Sequence, residues 1–364
     1  MNGRDSTSIR VAAVGDLQLG DSPVSVGFGL ASRYRSCGLD SAFSALRPMF
    51  AEADLVIGNL ECPLSTAGLD AASWRSAQLR GEPSFAGALS RAGFTALNVA
   101  NNHAVQHGIE AFRETVDLLA SNGIKCCGVR GVAPWCSQPV ILLMPGGRRL
   151  GLLGYCQRPR QYGSQEPPFA EGTSAEILSD VVRLKSTVDD VVVSLHWGEE
   201  FVSQPSRGEV ALAHAVIEAG AALIIGHHPH VLRPVERYRH GLIAYSLGNC
   251  LADMVWWRRL RQGGVLRCTI DASGAGSAEL TPIYIDAAYR PTPVAEAAGN
   301  GLHPLDEHTY RNAVRRTVRL QRVAAYRHAA LNVWRYSPRM LGQLAAATIQ
   351  NKTGALRTWL KRAR

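Results

Sequence analysis

The stretch Ala221–His230, AALIIGHHPH, is an apolar run that ends in three imidazoles within four residues, His227, His228 and His230. A buried strand fixes its backbone, and neutral imidazole is the commonest side-chain ligand for borderline divalent metals. The pattern recurs along the chain. VAAVGD ends in Asp16, and ADLVIGNLE runs through Asn59 to Glu61. FTALNVANNH ends in Asn101, Asn102 and His103, DVVVSLHWG carries His196, and LIAYSLGN ends in Asn249. Core packing gives no reason for such groups at the end of run after run. Ligands of layered α/β folds bind at the carboxyl ends of strands, so these tips are expected to converge on one site.

The runs VVVSL, ALIIG, ILLM and LGLLGY are nearly continuous in Val, Ile and Leu, which suits strands buried on both faces with helices outside. Helices are expected at Asp40–Glu52, Pro83–Ala92, Gly108–Ser121, Ser174–Thr187 and Arg207–Ala219, the third ending at the stop signal Ser121-Asn122-Gly123. The fold class is therefore α/β.

With 364 residues, 46% hydrophobic and 19% charged, the chain has the composition of a globular protein of one large domain or two. No run approaches the ~20 apolar residues that would span a bilayer. The opening MNGRDSTSIRVAAVGD lacks the apolar stretch of a secretory signal, so a cytoplasmic location is expected. The eight cysteines follow no metal-binding spacing and read as reduced, buried small hydrophobes. Cys62 and Cys250 directly follow Glu61 and Asn249, which leaves a catalytic thiol there as the minor alternative.

Charge is distributed unevenly. Of 39 Lys and Arg, 13 follow Glu307, and no Asp or Glu does, which leaves 26 basic against 30 acidic residues in the rest of the chain. The formal charge of +9 thus comes from the tail. Residues 1–295 are expected to form the α/β domain. Residues 296–364 are expected to form a basic extension of two helices divided by Ser337-Pro338. Attachment of this tail to an anionic membrane surface, with the protein peripheral, is the first expectation. An acidic polymer comes second, and nucleic acid is disfavoured because no recognised nucleic-acid motif accompanies the charge. The competing reading is that the tail folds back onto the negatively balanced domain.

Six motifs in order carry a family likeness: Gly15-Asp16; Gly58-Asn59-Leu60-Glu61; Asn98-x-Ala100-Asn101-Asn102-His103; Ser194-Leu195-His196-Trp197-Gly198; Gly226-His227-His228-Pro229-His230-Val231; and Tyr245-Ser246-Leu247-Gly248-Asn249. From about residue 10 to 290 the chain resembles the CapA family, named for poly-γ-glutamate capsule biosynthesis, within the calcineurin-like metallophosphoesterases. The resemblance implies a layered α/β/β/α sandwich holding one or two divalent ions. Asp16 would bind the first metal, Glu61 would bridge, and Asn102 would bind the second through its amide oxygen. His196 and His228 would be further ligands, and His230 would return to the first metal. His103 would act as the acid toward a leaving group, with His196 beside it in the catalytic set. Imidazole content favours Mn, Zn or Fe over Mg. Two positions depart from pattern. Gln18 stands where metallophosphoesterases usually place a histidine, which the capsule family generally lacks too, and Gln106 stands where the family tends to carry an aspartate.

Substrate contacts are expected from Asn59, Asn249, Arg158 and Arg160, the arginines lying in the Pro/Gly-rich segment Tyr155–Ser174 and suited to an anionic substrate or peptide. Two solvated arginines are the plain alternative. Asp16 could instead cap a helix, Asn59 and Asn101 could be turn residues, and His227 is expected to lie behind the chelating pair His228 and His230. Three function classes remain open: a metal-dependent hydrolase of a phosphoester, or of an amide or ester in an acidic polymer; a metal-dependent peptide Cα-epimerase of the lasso-peptide type; and a non-catalytic capsule-assembly component that binds a polyanion.

Overall fold

Along the strand β1 (Ile9–Gln18), Ile9, Val11 and Ala13 face one apolar cluster while Ala12 and Val14 face another. A strand whose two faces are both buried must lie inside a stack of layers. The computed structural model describes residues 8–163, 165–295 and 301–346. Further strands in chain order are β2 (Leu55–Leu60), β3 (Ala96–Asn98), β4 (Lys125–Cys127), β5 (Val140–Leu143), β6 (Arg149–Cys156) and β7 (Asp190–His196). They are followed by β8 (Leu223–His227), β9 (Val235–Tyr238), β10 (Gly241–Ala244), β11 (Asn249–Ala252), β12 (Gln262–Asp271), β13 (Gly274–Ile285) and β14 (Pro291–Pro293).

One sheet runs β14-β13-β12-β1-β2-β3-β4, with β11 pairing to the end of β1; the other runs β5-β6-β7-β8-β10-β9. The central strands β1 to β4 are parallel, as are β6, β7, β8 and β10. Their carboxyl ends therefore fall along one rim of each sheet. Between the sheets, Val11, Leu55 and Ile57 meet Leu152, Val192, Leu223 and Ile225. Outside the first sheet pack α1 (Leu30–Tyr34), α2 (Arg47–Phe50), α4 (Phe85–Ala92) and α5 (Ile109–Ser121), with α3 (Trp74–Ala77) nearer the surface. Outside the second pack α6 (Ser174–Lys185) and α7 (Arg207–Glu218). Three apolar cores thus separate four layers, the expected α/β/β/α sandwich.

Local chemistry explains the helix ends. Thr173 with Glu176, and Ser206 with Glu209, form capping boxes that start α6 and α7. Gly123, at φ +77, carries the chain out of α5. The expected helix Asp40–Glu52 is broken into a 3-10 turn at Asp40–Phe43 and α2 at Arg47–Phe50. Pro48 has no amide hydrogen and fits only a helix's first turn, so the helix restarts there.

One feature of β1 sets up the site. Its first half pairs with β12, but from Asp16 onward it pairs with β11, across a register shift. Gly15 lies at the fork against Gly248, where any side chain would collide with the Gly248 carbonyl. That close approach brings the tip of β1 beside the loop after β10.

From Glu307 on, the described part of the tail is mostly helical. Helix α8 (Glu307–Leu331), capped by Asp306, is followed by a 3-10 turn and further helix over 338–346, so Ser337-Pro338 does divide two helices. Trp359, Leu360 and the last five basic residues lie outside the described residues, as does the expected boundary at 295/296.

Candidate metal centre

Asp16, Asn59, Glu61, His196, His227, His228, His230 and Asn249 are all buried at the sheet rims. β1 delivers Asp16, β2 delivers Asn59 and, one residue past its end, Glu61. β7 ends in His196, β8 in His227, and β11 begins at Asn249. Glu61 occupies the middle. Its Oε1 lies 3.4 Å from His196 Nε2, 3.7 Å from His230 Nε2 and 4.0 Å from His228 Nδ1. Asp16 flanks it, with Oδ2 3.2 Å from His230 Nδ1 and Oδ1 3.4 Å from His227 Nδ1. Two ligand-bearing triads result, Asp16–Glu61–His230 and Glu61–His196–His228, with Glu61 common to both.

The loop 228–230 is held in an unusual shape. His228 has φ +93 and His230 φ +55, a region that costs a side chain on the order of 1–3 kcal/mol. Contacts hold it there: the His228 amide donates to Asp16 Oδ2 (3.1 Å), and His230 Nδ1 meets Asn249 Oδ1 (3.0 Å).

Electrostatics give each group a state. Burial drives His196 and His228 well below the ordinary histidine value, so both imidazoles are neutral and can offer lone pairs. Burial also lifts the Glu61 carboxyl well above its usual range, opposed by His230 and reinforced by Asp16 and Glu200. In Asp16 burial acts upward, but hydrogen bonds from His227 and His230 outweigh it and hold the carboxyl well below the usual range. His230 is raised to about 10, because Glu61 and Asp16 together outweigh its burial.

A divalent ion fits these residues. Among the described residues, neither oxygen of Glu61, neither ring nitrogen of His228, nor Nε2 of His230 has a hydrogen-bond partner, although all are buried. Unpaired buried carboxylates and imidazoles are costly, and a shared cation would satisfy them together.

The remaining expected residues fall into place as follows. Asn102 joins the centre, its Oδ1 2.8 Å from His196 Nε2. His103, 9% exposed, stands at the pocket's edge. Its Nδ1 lies 2.7 Å from Gln106 Oε1, so Gln106 orients the ring. Burial lowers His103 to about 4, against the Gln106 contact. His227 Nδ1 lies 3.4 Å from Asp16 Oδ1. Asn101 ties the loop together, donating to Leu60 O (2.8 Å) and accepting from the His103 amide (3.2 Å). The Trp197 ring stacks on Tyr245 away from the pocket and donates to the Tyr245 carbonyl.

The expected substrate contacts need correction. Asn59 donates to Asp16 (2.9 Å) and accepts from Asn98 (3.1 Å), leaving its amide no free end. Asn249 spends its oxygen on His230 and its Nδ2 on Leu260 O (2.8 Å). Both brace the ligands. Arg158 forms a two-point pair with Glu199 (2.9 and 3.1 Å), and Arg160 one with Glu171 (2.6 and 2.5 Å). Neither guanidinium is a free fork for an anion. From the same loop, Gln161 Oε1 accepts from Asn102 (3.3 Å), and the Tyr162 ring lies 6.0 Å from that of His103. These two neutral residues lie beside Asn102 and His103, contacts that the arginine-centred reading missed. A catalytic thiol is not supported, since burial raises Cys62 to about 12 and Cys250 still higher. Glu200 was also missed. It stands with His228 and His230 in a third triad, and the pair of acids closing WGEE, just beyond His196, was the available signal.

Comparison with known proteins agrees with the six motifs. A family model described as "Bacterial capsule synthesis protein PGA_cap" matches residues 10–254. The PGA biosynthesis protein CapA of Bacillus subtilis is 31% identical over 260 residues, covering 71% of this chain and 68% of that one. The capsule biosynthesis protein CapA of Bacillus anthracis is 28% identical over 305 residues, covering 81% and 71%. Among solved structures, the 5'-nucleotidase from Candida albicans aligns at 11% identity and a TM-score of 0.43, over 87% of this chain and 58% of that one.

Proposed function

The chain belongs to the bacterial capsule synthesis protein family PGA_cap, and from that premise we propose that it is a metal-dependent hydrolase acting on an acidic polymer or its precursors. The observation that carries this reading is Glu61, a fully buried carboxylate with no hydrogen bond that is shared by two ligand triads. Asp16, Glu61 and His230 would hold one divalent ion, and Glu61, His196 and His228 a second, with Asn102 beside His196. Bound there, such ions would supply Lewis acidity and lower the pKa of a water toward neutrality.

The protein's own groups complete the site. Asn59 and Asn249 keep Asp16 and His230 in place through the hydrogen bonds above. His103, its Nδ1 engaged by Gln106, presents Nε2 for proton exchange with a substrate atom. Gln161 and Tyr162, beside Asn102 and His103, would meet a substrate on that side.

The test is a substrate screen with metal-loaded protein: aryl phosphate mono- and diesters first, then γ-glutamyl and peptide substrates in deuterated buffer. Metal-dependent cleavage that Glu61→Ala abolishes is the expected result. Deuterium entering at Cα without cleavage would favour the epimerase, and inertness toward every substrate would favour an assembly role.

A further inference from the structure

We propose that Glu200 is an additional ligand of this metal centre, on the side of His228 and His230, and that helix α8 positions it through Tyr310. The inference rests on the metal reading above and extends it to a residue outside the six motifs.

The geometry begins with the triad. A Glu200 carboxylate oxygen and one ring nitrogen each of His228 and His230 all lie within 4.8 Å of one another. Two ligands on opposite sides of one ion, each at about 2.1 Å, stand about 4.2 Å apart, so small side-chain adjustments bring all three onto a single ion. Among the described residues, the half-buried Glu200 carboxylate has no hydrogen bond or salt bridge. Its neighbour Glu199 takes the arginine instead, through the pair with Arg158 at 2.9 and 3.1 Å. Of two adjacent acids, one is neutralised by a guanidinium and the other faces two imidazoles. A divalent cation is the partner that position lacks.

The backbone around Glu200 is pinned on both sides. Gly198 (φ +73) and Phe201 (φ +69) turn the chain back on itself. The Phe201 amide donates to Pro229 O at 2.8 Å, which ties the segment to the loop carrying the two histidines. The Phe201 ring is buried 6.2 Å from the His230 ring. From the other side, the Tyr310 hydroxyl of α8 accepts the Glu199 amide (2.9 Å) and Arg233 Nη2 (3.2 Å). Arg233 also donates to the Glu199 carbonyl at 3.3 Å. Tyr310 of the tail thus holds the Gly198–Glu199 peptide directly and, through Arg233, the Glu199–Glu200 peptide.

Gln18 gives the extra carboxylate a chemical purpose. It stands two residues after Asp16, is buried, and neither amide atom has a partner. An amide is a weaker donor than an imidazole or carboxylate toward Mn, Zn or Fe. A charged ligand from Glu200 would offset that weakness.

The experiment is calorimetric titration of Mn²⁺ and Zn²⁺ into metal-stripped full-length protein: wild type, Glu200→Gln, Glu200→Asp, Tyr310→Phe and, as a remote control, His214→Ala. Glu200→Gln is expected to weaken at least one binding event about 10- to 100-fold, Glu200→Asp less, and His214→Ala not at all. Tyr310→Phe is expected to weaken the same event several-fold with unchanged stoichiometry. Melting in chelator checks folding: Glu200→Gln should melt with or above wild type and should lose part of the metal-induced shift. Binding by Glu200→Gln within about twofold of wild type overturns the proposal, as does a large drop in its metal-free melting temperature with the metal-induced shift intact. Failure of wild type itself to bind either metal would overturn the underlying reading, a distinguishable result.

Discussion

Three side chains of this centre, Asp16, His196 and His230, depend on neighbours for their orientation. Asp16 is held by Asn59 and the His228 amide, His230 by Asn249, and His196 by Asn102 and Asn59. His214, by contrast, stacks on Tyr238 and pairs with Glu236 (3.0 Å) in a different part of the protein. Metal analysis of purified protein is therefore expected to find a divalent ion, with occupancy sharply reduced in Glu61→Ala and His228→Ala and unchanged in His214→Ala. Equal content in all four would remove the site. His103 lies outside the triads and holds Gln106, so His103→Ala should keep its metal while losing about 10²- to 10⁴-fold in turnover on whichever substrate the screen identifies. Metal loss in that variant would make it a ligand.

At the scale of elements, the departure of β12 and the entry of β11 beside β1 create a buried polar corner around Asp253, just past β11. Asp253 Oδ2 accepts the Ser22 amide at 2.7 Å, and the Tyr289 hydroxyl faces the same carboxyl. Burial, with Asp21 adding, raises this carboxyl from 3.8 to about 7. The unfolded chain releases this proton near pH 4, but the folded chain keeps it until about pH 7. Between those limits the native state binds the extra proton, so stability falls as pH rises. At about 1.4 kcal/mol per pH unit the loss is on the order of 3–4 kcal/mol. Asp253→Asn keeps the acceptor for Ser22 and removes the charge. It should melt like wild type near pH 4, melt higher at pH 8, and show a flatter profile between; superimposable profiles would refute the assignment.

At the scale of the whole molecule, the basic tail has a structural face and a free one. Tyr310 reaches Glu199, Val318 packs on the Phe201 cluster, the Tyr336 hydroxyl donates to Val24 O (2.5 Å), and Gln343 bonds Ala72 O (3.1 Å). Along the other face Leu320, Val323, Tyr326, Leu331 and Trp334 are exposed. Near them Arg315, Arg316, Arg319 and Arg327 line a groove beside Trp256. No helix of the described residues is long and apolar enough to cross a membrane. Surface attachment is a different matter, since each cation near an anionic bilayer contributes about 1 kcal/mol and aromatic rings settle at its interface. Full-length protein is expected to cosediment with anionic vesicles in a salt-sensitive way. A chain ending near Gly301 should lose that binding and melt several degrees lower. Absence of vesicle binding by the full-length protein, with the melting loss retained, would leave the tail a purely structural element.

The sequence by itself determined the layers and most of the centre, because each depends on a local pattern. Nearly continuous apolar runs specify strands buried on both faces, and a polar group at the end of such a run has no core to enter. The gathering of Asp16, Asn59, Glu61, His196, His227, His228, His230 and Asn249 at the sheet rims was legible for that reason. What tertiary structure decided was which of the nearby polar groups face the pocket. Arg158 and Glu199 lie 41 positions apart, and no local pattern announces that they neutralise each other. The same pairing leaves Glu200, not Glu199, turned toward the imidazoles, and the hydroxyl that fixes the choice comes from Tyr310, 111 positions beyond Glu199. Partners this distant meet only once the sheets are stacked and α8 is laid across them. Charge counting could therefore show that the tail was basic, but only packing showed that part of it is built into the wall of the site.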